Sequence, residues 1–129
     1  TFLVATAGVN NEVLPTRKCY DKPLDNKFDK NIYQVVGKVL KLYQQDQPWL
    51  ATGATTEDTG YTHLLYLGSK KGEYKEHVDH FDLHPRVLSC SLILNDDYEG
   101  GDFAFFGGEH IAVLPVTEGD RHALITWIH

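Results

Sequence analysis

The sequence contains no methionine, only two cysteines, and no run of Lys or Arg longer than Lys70-Lys71. Each shortage excludes something. Two cysteines in a chain of 129 residues form no disulfide framework. Cys90 lies within the apolar segment "VLSCSLIL" and is expected to be a buried small hydrophobe, so the chain reads as reduced, intracellular and cytoplasmic. Without a basic cluster, and with a net charge of −6, a nucleic acid is not expected as the main partner, since phosphate binding rests on clustered positive charge. No apolar run approaches the ~20 residues that cross a bilayer, and no signal peptide is visible, so no membrane partner is expected. The absence of methionine, together with a start at Thr1, points to an excised or incomplete fragment.

What is present suits one domain spanning 1–129, long enough to hide roughly two thirds of its unfolded surface. Phe28, Ile32, Val35, Val36, Val39, Leu40 and Tyr43 recur at helical spacing, with Asp29 as a start cap and Pro48 as a stop. One face of that helix needs cover, most simply from a sheet. From Tyr61 onward the texture is that of strands: "YTHLLYLG", "RVLSCSLILN", "DFAFF", "IAVLPV" and "RHALITWI", separated by turns rich in Gly, Asn and Asp. The expectation is a mostly β fold, an antiparallel sandwich or barrel, buttressed by an N-terminal helix.

The segment Tyr74–His80, "YKEHVDH", carries the chemistry. On a strand His77 and Asp79 point the same way while Val78 packs on the other side. An imidazole and a carboxylate are two thirds of the facial triad of non-haem iron(II) oxygenases, which leaves positions open for a cosubstrate and O2. A rival reading places His77, His80 and His84 on a helix, but Pro85 and the β-rich flanks oppose it. On an extended chain His80, Asp82 and His84 fall on the opposite face, as solvated surface.

The span Leu64–Trp127 resembles the prolyl 4-hydroxylase-like branch of the 2-oxoglutarate- and iron(II)-dependent dioxygenases. The matching stretches are "LLYLGSKKGEYKEHVDHF", "PRVLSCSLILNDDYEGGDFAFF" and "VLPVTEGDRHALITW", in the family's order and covering about half the chain. The resemblance implies a double-stranded β-helix (jelly roll) and an Fe(II)- and 2-oxoglutarate-dependent hydroxylase acting on prolyl residues of a peptide or protein, releasing succinate and CO2. It implies His77 and Asp79 as iron ligands and Arg121 as the residue that binds the far carboxylate of 2-oxoglutarate. A planar guanidinium suits that task. Tyr66 resembles a cosubstrate contact; Tyr74, Arg86 and Trp127 resemble residues near the substrate. Cofactors are then Fe(II), 2-oxoglutarate and O2, with ascorbate allowed as an accessory. Halogenating relatives have a small residue in place of Asp79, and the nucleic-acid demethylase branch has an Arg-x-Asn-x-x-x-x-x-Arg tail that "RHALITWIH" lacks.

The distal histidine of the family sits four residues before the Pro of Pro-Val. Here that position is Ile111, and His110, one residue earlier, is the expected distal ligand, with a bulge absorbing the offset. Positions 78–109 give 32 residues between His77 and His110, an interval one strand shorter than the family's. Residues are therefore expected to be missing between about Gly107 and His110. His122 is expected to face away from Arg121. A small-molecule substrate and a non-catalytic jelly-roll binding module without iron are the alternatives.

Overall fold

The computed structural model describes residues 1–7, 12–49, 58, 60–79 and 88–128. The described chain is mostly β, with one α-helix and several antiparallel sheets. Three short strands, β1 (Leu3–Val4), β2 (Arg17–Lys18) and β3 (Tyr20–Pro23), precede the helix where none was expected. They are followed by β4 (Thr62–Leu67), β5 (Glu73–Val78), β6 (Leu88–Ile93), β7 (Glu99–Gly100), β8 (Phe103–Phe105), β9 (His110–Val113), β10 (Val116–Glu118) and β11 (Asp120–Ile128).

One sheet has the order β1-β3-β4-β11-β6, a second β2-β5-β9-β8, and β7 pairs with β10 as a separate ribbon. β11 lies between β4 and β6 in the larger sheet, with Arg121 opposite Tyr66 on β4 and Ile125 opposite Ser91 on β6. Ala123, Leu124, Thr126 and Ile128 are all buried, because both faces of this strand are covered. Ala5, Cys19, Leu64, Tyr66, Val113 and Val116 form the core, and Tyr74, Tyr98 and Ile125 pack against it. Each large apolar side chain buried this way contributes roughly 1.5–3 kcal/mol.

The stretch "IAVLPV", expected as one strand, divides into β9 and β10. Pro115 offers no N–H to a ladder, and the chain changes sheets there. Gly100 and Gly101 accommodate the crossing. Gly101 donates its N–H to the Pro115 carbonyl at 3.1 Å, and Gly100 has φ +75°, a conformation glycine adopts freely. Gly101 also leaves room for Arg121: a Cβ there would stand 3.0 Å from Arg121 Cδ.

Between β8 and β9 the chain closes as a tight hairpin at the place where the family resemblance expects a further strand. Phe106 N–H donates to His110 O at 3.0 Å, and Gly107 and Gly108 supply the positive φ values of the turn.

A 3-10 turn (Asn26–Phe28) leads into α1 (Asp29–Asp46). Asp25 accepts from Lys27 N–H at 3.1 Å and caps that turn. Asp29, expected as the cap, is instead the first helical residue, where its charge still favours the positive helix end. The helix ends at Asp46, two residues before Pro48. Its cover is partial: Val36 is buried, while Val39 and Leu42 are 60% and 64% exposed. A gap of about 350 Å³ separates Val36, Val39 and Leu40 from Cys90 and Leu92 of β6. Cys19 is buried as a free thiol, and Cys90, expected to be buried, is only half-buried. No helix among the described residues is long and apolar enough to cross a membrane.

Candidate functional site

Between the two larger sheets lies a cavity of about 520 Å³, a size typical of ligand pockets. His77, Asp79, Arg121, Tyr66, Tyr74 and Trp127, six of the eight residues singled out from the sequence, all line it. Arg86 lies outside the described residues, as do His80, Asp82 and His84.

β5 brings Tyr74 and His77 to one face by an irregularity. In a regular strand, residues three apart point oppositely. Here Tyr74 pairs with Val113 and His77 with Ile111, so β5 holds one residue more than its partner between those points. This bulge re-aims the strand and lets the two rings stack, with centroids 3.5 Å apart and planes at 11°. The Arg17 guanidinium lies over the other side of Tyr74, 4.7 Å from its centroid.

His77 Nδ1–H donates to the Lys75 carbonyl at 2.8 Å, and Nε2 is 3.1 Å from Asp79 Oδ1. Ser89 Oγ–H, reaching from β6, donates to Asp79 Oδ2 at 2.7 Å. Burial pushes the Asp79 carboxyl up, but hydrogen bonds from His77 and Ser89, the nearby imidazole and the Trp127 indole outweigh it and hold the group below its ordinary value.

Arg121 is 2% exposed at the start of β11. Its guanidinium sits 5.3 Å from the centroid of Tyr66, itself 1% exposed. Arg121 Nε is buried without a hydrogen-bond partner, and no carboxylate among the described residues pairs with the side chain. Burial, then the neighbouring Cys19, pushes the Tyr66 hydroxyl far up, so it remains an O–H donor.

His110 is not brought to this cavity. β9 pairs regularly near the hairpin, with His110 opposite Val78 and Ile111 opposite His77. Paired residues share a face, so Ile111 stands beside His77 while His110 faces the other way. There its Nδ1 meets Glu76 Oε1 at 3.2 Å. The bulge expected near His110 lies instead on β5. His77 is the only histidine lining the cavity among the described residues. His122 turns to the opposite face, as expected, and its Nδ1 lies 2.9 Å from His63 Nε2. No group of three or more His, Cys, Asp or Glu able to hold a metal occurs among the described residues.

No protein-family model and no curated protein matches the chain.

Two cavity residues escaped the sequence reading. Ser89 carries no motif of its own. Arg17 lies on β2, a strand of two residues that is too short to show any alternation in the sequence.

Proposed function

We propose that the chain is a dioxygenase domain of the prolyl 4-hydroxylase-like branch, built as a double-stranded β-helix. Its activity is Fe(II)- and 2-oxoglutarate-dependent hydroxylation of prolyl residues in a peptide or protein. The observation that carries this reading is Arg121, a buried guanidinium without a carboxylate partner among the described residues, in a cavity that His77 and Asp79 also line. An unneutralised buried charge is costly, and a bound carboxylate offsets that cost with two parallel hydrogen bonds.

The donor set fits iron(II) in part. Both ring nitrogens of His77 face acceptors, the Lys75 carbonyl and the Asp79 carboxylate. Protons on both nitrogens satisfy that arrangement, and so does a cation held between Nε2 and Asp79. Metal-binding imidazoles commonly donate their other N–H to a carbonyl in this way. Among the described residues no second imidazole of a triad stands by His77; Ile111 occupies the place beside it.

When bound, iron(II) supplies the O2 chemistry by which 2-oxoglutarate becomes succinate and CO2 and a substrate C–H becomes C–OH. The chain's own residues bind and orient. Arg121 holds the far carboxylate, with the Tyr66 hydroxyl beside it as a donor, and Ser89 fixes one oxygen of Asp79 so that the other faces His77. Ile125, Val113 and Ile111 supply apolar wall to the cavity.

The position of His110 favours a second reading, a binding module that keeps the cavity without iron chemistry. One experiment separates the two. Anaerobic protein with Fe(II) and 2-oxoglutarate is examined for a weak visible charge-transfer band, then exposed to air with proline-containing peptides while succinate is measured. The hydroxylase gives the band, and succinate release that Asp79→Ala abolishes with the fold intact. Retention of 2-oxoglutarate binding with no band and no succinate identifies the binding module.

A further inference from the structure

We propose that Arg17 is a second anchor in the cavity, and that Arg17 and Arg121 together hold a short dicarboxylate without help from a metal ion. This rests on the reading that Arg121 takes a carboxylate, and it adds where the ligand's other charge goes.

Arg17 lies on β2, at the edge of the smaller sheet, yet its side chain lines the same cavity as Arg121. Its Nη1–H donates to the Thr6 carbonyl at 2.6 Å, which fixes the guanidinium without neutralising it. Arg17 Nε, like Arg121 Nε, is buried with no hydrogen-bond partner, and among the described residues no carboxylate forms an ion pair with either. The cavity's own carboxylates do not balance them: Asp79 is taken by His77 and Ser89, and Asp21 forms no ion pair among the described residues.

Tyr66 links the two cations. The Arg121 guanidinium stands over its ring, and both arginines act on its hydroxyl electrostatically. Cys19 interacts with Arg17 and hydrogen-bonds it, but burial, the largest influence on the thiol, pushes it up and keeps it neutral. Two cations thus share one protected cavity with a neutral O–H donor beside them. A dianion neutralises both, whereas a single carboxylate leaves one unmatched. Two rigid forks favour planar carboxylates at each end. A side chain that merely propped up β2 would need no second charge in the cavity.

The test uses isothermal titration in excess EDTA, with succinate, 2-oxoglutarate, acetate and succinamate as probes. Succinamate keeps the shape of succinate but replaces one carboxylate by a neutral amide. Succinate and 2-oxoglutarate are expected to bind saturably without metal, and succinamate at least ~10-fold more weakly than succinate, the equivalent of ~1.4 kcal/mol. Arg17→Gln is expected to weaken succinate by a similar factor and leave acetate unchanged, with Arg17→Lys recovering part of the loss. Equal affinity for succinate and succinamate overturns the proposal even if the Arg17 variants fail to fold. Unchanged succinate binding by folded Arg17→Gln overturns it too. Dicarboxylate binding that appears only with Fe(II) overturns it while leaving the hydroxylase reading standing. If 2-oxoglutarate binds neither with nor without Fe(II), both readings fall.

Discussion

Replacing Arg121 by Met should make the unliganded protein more stable while removing its ligand response. The guanidinium is 2% exposed, and its Nε has no partner. A buried donor left unsatisfied costs about 1–3 kcal/mol, more when charged. The Tyr66 ring at 5.3 Å returns part of that, since a cation over an aromatic face is worth about 0.5–2 kcal/mol. Methionine keeps most of the stem that lies against Gly101 and has no charge to satisfy. The net expectation is a gain of about 1–2 kcal/mol, or a Tm rise of roughly 3–8 °C for a domain of this size. Saturating 2-oxoglutarate reverses the order: at one hundred times Kd it stabilises the wild type by about 2.7 kcal/mol and leaves the Met variant unmoved. The assay is urea and thermal denaturation of both proteins with and without ligand. If the Met variant is clearly less stable than the wild type without ligand, Arg121 holds the fold together and the argument from its missing partner fails. Equal stabilisation of both proteins by ligand refutes it from the other side.

Other consequences follow from neighbouring features. Tyr74→Leu removes a ring stacked on His77 and capped by Arg17, and should cost about 1–2 kcal/mol in urea denaturation. Gly119→Ala places a Cβ 2.6 Å from the Asp97 carbonyl at φ +71°; the backbone conformation alone costs about 1–2 kcal/mol, and the lost stability should appear as a lower Tm. Burial, then the nearby His122 and Lys22, hold His63 below its ordinary value of 6.5. The folded state therefore binds this proton less readily than the unfolded state. That contribution to stability is present above about pH 6.5 and is lost as pH falls below it. His63→Gln should flatten the fall in stability between about pH 7 and about pH 5, read from denaturation midpoints.

Much of this was legible in the sequence where a repeating pattern marked it. The α1 periodicity and most of the strand runs depend on local repetition, and they reappear in the structure. The shared face of His77 and Asp79 was read the same way, and the two side chains do meet. The stacking of Tyr74 on His77 was not legible, because residues three apart share a strand face only across a bulge, and the bulge is fixed by pairing with β9. The direction of His110 failed for the same reason: an offset of one residue reverses a side chain, and register is set by a distant partner. Arg17 was invisible because β2 has only two residues, too few to show alternation, and its importance comes from Tyr66 and Tyr74 far along the chain.

β4 and β6 lie in the same sheet but are joined to each other only through β11, which follows both in the chain. The larger sheet cannot close until that last strand slides between two waiting edges, a long-range step of the kind that slows folding. Arg121 travels on the inserting strand, so the cavity acquires this cation at the moment the architecture becomes complete. If Arg121 takes an anion as proposed, a half-folded chain has no finished grip for it, and binding would latch the final insertion.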